Sequence, residues 1–169
     1  MKLHASLKID NRNYAKGTEI SWFKIYPFFM FHMLIFGGSG FFMAYAAKGA
    51  PVAFLYAHGG FAIVVYTIFY LAIFGRDEVK WMFINGGLGI IGIYSQISWI
   101  LALFGKKIGD YPLYVHVIPF LYFVLYTFLL RHALLDITKS RQDERMKQRV
   151  EYGYVGGSLL FYLASYALT

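Results

Sequence analysis

Apolar residues in this chain fall in long uninterrupted runs rather than in the one-sided stripes of a soluble helix. A helix rising 1.5 Å per residue needs about 20 apolar residues to cross a bilayer. Five runs approach that length: 27–47, 51–74, 81–104, 112–135 and 152–169. The first four predict membrane-spanning helices, and the last, of 18 residues, a short fifth span. No soluble domain fits between them. The expected fold class is therefore all-α, a polytopic integral membrane bundle. Residues 1–26 form its basic leader, and residues 136–151 are expected to continue the fourth helix as a solvated connector.

The ends of the runs carry signals of their own. Pro27, Pro51 and Pro112 each stand at the first position of a run, where an N–H would lack an intrahelical partner anyway. Pro119 lies inside the fourth run and is expected to kink that helix, freeing the Val115 carbonyl. Trp22, Tyr26, Trp81, Tyr111, Tyr114, Tyr152 and Tyr154 gather near the run ends, as in the aromatic belts of a membrane protein. Residues 18–26 predict an interfacial helix that dips Ile20, Trp22, Phe23 and Ile25 into headgroups. The leader is too long and the following run too full for a cleavable signal peptide. Asp143 and Lys147 are spaced for an i,i+4 ion pair on the connector.

Charge then sets an orientation. Lys and Arg number five in residues 1–26, two at Arg76 and Lys80, and six from Arg131 to Arg149, which puts thirteen on one side. Lys48, Lys106 and Lys107 are the three on the other. Basic residues favour the cytoplasmic side, so the N-terminus is expected inside a bacterial-type inner or plasma membrane. The formal charge of +7 is thus a topology signal and a contact for anionic lipid, and gives no reason to expect nucleic acid. Composition agrees: 59% of residues are hydrophobic and 15% charged, where a soluble domain is about a quarter charged. The absence of Cys excludes disulfides, thiolate zinc sites, iron–sulfur clusters and covalently attached haem.

The chemistry left to consider rests mainly on histidine. Four of five histidines fall inside the runs, where ionisable groups are costly and face a bundle interior or cavity. From the run ends, His32 and His132 lie roughly 8 and 6 Å in from the inner surface. His58 and His116 lie roughly 10 and 6 Å in from the outer one. The set divides into an outer pair, His58 with His116, and an inner pair, His32 with His132. Two such pairs are what two bis-histidine b-type haems require, since neutral imidazole ligates haem iron without Cys. His116 and His132 are about 24 Å apart along one helix and point about 160° apart, so that helix must pack between the first and second. Arg131 and Lys24 would pair with inner propionates, and Lys106 or Lys107 with outer ones. In outline, with four or five helices, intramembrane histidines and little soluble mass, the chain is similar to the small di-haem cytochrome b anchors of membrane dehydrogenases. The likeness is one of architecture and is carried by no family motif.

A plainer reading stands beside it. Each histidine can hydrogen-bond a carbonyl or a Tyr hydroxyl across a helix interface. The expected function is accordingly a di-haem cytochrome subunit passing electrons between quinol and a partner. Its alternative is an accessory subunit of a larger membrane complex without chemistry of its own. Gln96 could contact a quinone carbonyl or simply a neighbouring helix. The glycines Gly37, Gly38, Gly59, Gly60, Gly86, Gly87, Gly89, Gly92, Gly153, Gly156 and Gly157 make smooth surfaces suited to close helix packing. A transporter or channel ranks third, because no run holds Asp or Glu at mid-depth.

Overall fold

A computed structural model describes residues 2–9, 12–46 and 51–167. Six helices hold most of them: α1 (Trp22–Tyr45), α2 (Val52–Phe74), α3 (Arg76–Leu88), α4 (Ile90–Leu103), α5 (Leu113–Ile137) and α6 (Glu144–Ala167). Three of these, α1, α2 and α5, are individually long and apolar enough to cross a membrane. A fourth crossing results if α3 and α4 are counted as one bent span. The fifth run lies in α6, which is not among the helices that qualify by length and composition. Ala47, Lys48, Leu168 and Thr169 lie outside the described residues.

Several boundaries depart from the sequence reading. Helix α1 begins at Trp22, so Pro27 sits inside it and not at its first position. Pro51 and Pro112 cap α2 and α5 from one residue outside. Helix α5 continues through Pro119, which is buried. The leader is not an interfacial helix over 18–26. Strands β1 (Leu7–Ile9) and β2 (Arg12–Tyr14) pair antiparallel, and Lys2 bridges to Glu19. Backbone hydrogen bonds from His4 and Ala5 to the Ala72 carbonyl dock this leader on the end of α2. The docking helps to fix Gly75, whose φ of +89° suits glycine and whose absent side chain leaves room for the His4 ring.

The predicted third span is broken at Gly89, where α3 and α4 meet at 68°. Glycines at 86, 87, 89 and 92 remove the side chains that would stiffen a straight helix there. The expected continuation of α5 into a 136–151 connector fails as well. Thr138 and Ser140 hydroxyls bond back to the Leu134 and Leu135 carbonyls, and Lys139 turns left-handed at φ +53°. A 3₁₀ turn at Ser140–Gln142 then leads to Asp143, whose carboxylate accepts from the Arg145 and Met146 N–H groups and starts α6. Lys147 reaches Glu144 at 3.9 Å, so the ion pair expected with Asp143 is not the one formed.

Helix α5 is the axis of the bundle and packs against all five other helices. Half of its most apolar stretch is buried, against 28% for α1 and 33% for α2, whose remaining faces carry Phe, Leu and Ile outward as lipid-facing helices do. Close approach is made by glycine. The ring of Tyr122 lies over Gly37 and Gly40, Ile118 over Gly59, and Val124 over Gly86. Tyr70, fully buried, donates its hydroxyl to the Leu125 carbonyl at 3.1 Å, which satisfies a polar atom in the core.

Candidate functional site

The helix ends assort into two polar layers. In the first, Tyr45 ends α1, and its carbonyl accepts from Tyr111 at 3.1 Å and from Lys106 just beyond α4. The bent pair α3–α4 therefore carries the chain from one layer to the other. His116 lies in this layer, 6% exposed. Its Nε2 is 3.3 Å from the Tyr111 carbonyl, which can only accept, so the neutral ring carries its hydrogen there. Its Nδ1 then accepts from the Tyr45 hydroxyl at 2.8 Å. Both ring nitrogens are committed within the chain.

The second layer is a chain of charges across four helices and a turn. The Tyr26 hydroxyl on α1 donates to Asp136 on α5, which is also ion-paired with Arg141 in the 3₁₀ turn. Arg141 donates onward to His132 Nδ1 at 2.8 Å. The neutral His132 ring therefore holds its hydrogen on Nε2, 3.5 Å from the Glu78 carboxylate of α3. Glu78 lies 3.7 Å from Arg131, which also pairs with Glu151 of α6. Burial opposes the charge on Arg141, but Asp136 and Tyr26 outweigh it and hold the guanidinium above its ordinary range. Glu78 stands with Asp77 in the first turn of α3, where the helix dipole favours anions.

The four histidines of the apolar helices each engage separate partners. His58, on α2, has its Nε2 3.3 Å from the Ser39 hydroxyl of α1 and lies between the Phe36 and Phe54 rings, while His116 bonds Tyr45 and Tyr111. His32 is turned back on its own helix, Nδ1 to the Phe28 carbonyl at 2.8 Å. His132 is 1% exposed and enclosed by Phe74 and Phe128, with ring centres at 4.5 and 4.3 Å. Helix α5 packs against both α1 and α2, which also pack on each other. The rings do not fit the expected haem ligation: His116 offers no free nitrogen, and phenylalanines close the space beside His132. Arg131, expected at a propionate, is held by two carboxylates of the chain itself, and Lys106 caps α1. Among the described residues, no three His, Asp or Glu side chains are grouped to hold a metal ion.

The sequence reading missed a cavity. It occupies about 480 Å³ between the broken span, α5 and α6, within the range of small-ligand sites. Glu78, Arg131 and Glu151 line one end of it, and Trp81, Phe128 and Tyr154 its walls. Asn85, Gly86 and Gly89 of the break also face it. The glycine cluster was the available signal, since irregular backbone at membrane depth is tolerated where it lines a cavity. Gln96, weighed as a quinone contact, is half-buried on α4 and is not part of this lining. No known protein family, curated protein or solved structure matches the chain.

Proposed function

We propose that the chain is a non-redox accessory subunit of a larger membrane complex and that it docks through the outward face of α6. On this reading the chain crosses a bacterial-type inner or plasma membrane five times, with the leader and the charge network on the cytoplasmic side. The observation that carries it is where the glycines face. Gly37, Gly40, Gly59 and Gly86 meet neighbours inside the bundle; Gly38, Gly60, Gly87 and Gly92 are open but stand singly on their helices, whereas Gly153 and Gly157 are both exposed on α6, with nothing within 4 Å of an added Cβ. Four residues apart on one helix, they form a small-xxx-small surface. Lipid gains little from such a surface, whereas a second helix gains close backbone approach. The engaged nitrogens of His116 and the enclosed ring of His132 favour this reading over a cytochrome.

Two measurements test it. Purified from its native membrane, the protein should run with larger membrane partners on a native gel. Replacing Gly153 and Gly157 by Leu should reduce the co-purified partner about tenfold, the scale of one intramembrane helix contact. The fold itself should be unaffected, because both positions are open. The purified protein should also show no Soret band. A band lost on changing His58 and His116 would restore the cytochrome reading, and an undiminished yield of partner from the double variant would remove α6 as the docking face.

A further inference from the structure

The cavity between the broken span, α5 and α6 is not accounted for by a docking face on α6. Its charged end combines Glu78 and Glu151 with a single cation, Arg131, so these three groups carry one net negative charge. The neighbouring Arg141–Asp136 pair is balanced. His132, drawn on by Arg141 at Nδ1, is neutral in the arrangement described above. Its Nε2 is buried and lies 3.5 Å from the Glu78 carboxylate, outside hydrogen-bond geometry. Glu78 is approached by His132 at 3.5 Å and Arg131 at 3.7 Å, and nearly half of its side chain remains exposed. Beyond the charges, the walls carry the aromatic side chains of Trp81, Phe128 and Tyr154 beside Met82, Ile93, Val124 and Val155. Aromatic faces attract cations, more strongly where water is scarce. A net negative end joined to aromatic walls is complementary to a positive charge on an apolar body.

We propose that this cavity binds a lipophilic monocation dissolved in the membrane, with its charge at the carboxylate end, beside Glu78, and its body against the aromatic side chains of the walls. An anionic amphiphile would meet two carboxylates, and a zwitterionic headgroup would bring a phosphate to the same end. The broken helix opens the room for the body, because Gly86 and Gly89 present no side chains to it. Helix α6 closes the third side and supplies Glu151.

Equilibrium dialysis of the full chain in a neutral detergent tests the proposal, with tetraphenylphosphonium as the probe and tetraphenylborate as the anion of the same shape. Saturable binding of one phosphonium per chain, with the borate at least about tenfold weaker, is expected from the charge at the site. Glu78→Gln or Glu151→Gln alone should weaken phosphonium binding about tenfold. The double variant leaves Arg131 as the only charge of the three and should reverse the preference toward borate. Loss of fold would abolish both affinities and cannot produce that reversal. Val155→Trp, which fills the cavity without changing charge, should remove binding of either ion. Equal affinity for the two ions, or an unchanged preference in the double variant, would overturn the proposal. Displacement of bound phosphonium by phosphatidylethanolamine would overturn it in favour of a lipid headgroup site.

Discussion

Neighbouring glycines at the break show how little one position says about the next. An added Cβ at Gly86 would stand 2.8 Å from the Val124 side chain, whereas at Gly87 it would meet nothing within 4 Å. Gly86→Ala should therefore destabilise the bundle by about 1–3 kcal/mol through overpacking. Gly87→Ala should be neutral or gain up to about 1 kcal/mol from helix propensity. Thermal unfolding of the two variants in the same detergent distinguishes them, and equal shifts would refute the packing assignment. The same contrast governs the histidines. That four of them are intramembrane and must be satisfied was legible from the apolar runs. Which atoms satisfy them was not. His116 finds Tyr45 from 71 positions away, and His132 finds Arg141 only because the chain turns back.

At the scale of elements, long apolar runs transfer directly into helices, and α2 and α5 lie within two residues of their predicted limits. Polar boundaries transfer less well. The cluster Thr138, Lys139, Ser140, Asp143 held a readable stop and start, since hydroxyl and carboxylate side chains compete for backbone groups at helix ends. Read only as a charged stretch, it passed for a continuous helix. Asp143→Ala should cost about 1 kcal/mol and fray the first turn of α6. Faster amide exchange at Arg145 and Met146, with the core of α5 unchanged, is the expected signature. Lys139→Gly should act the other way, because a left-handed helix end suits glycine, and a gain of about 1 kcal/mol in thermal unfolding is expected.

The whole molecule is held at one end by the polar chain from Tyr26 through Asp136, Arg141, His132, Glu78 and Arg131 to Glu151. It joins α1, α3, α5, α6 and the turn between the last two. Asp136→Asn removes the charge that balances Arg141 and weakens the hold on Tyr26. A loss of about 1–3 kcal/mol is expected, because the ion pair is partly shielded from water. An unchanged melting temperature would mean that Arg141 finds another carboxylate. Arg131 and Arg141 of this network are two of the thirteen Lys and Arg that the sequence reading assigns to one side.

By itself the sequence determined that the chain is helical, where its apolar helices run, and that its polar chemistry is confined to helix ends. Those properties depend on local composition, because a run of apolar residues has one stable form in a membrane whatever surrounds it. The tertiary structure decided which polar groups meet, that the third span is broken, and that a cavity opens beside the break. These depend on residues brought together from 5 to more than 100 positions apart. Depth along a helix, the measure available from sequence, places two side chains at one level without bringing them face to face.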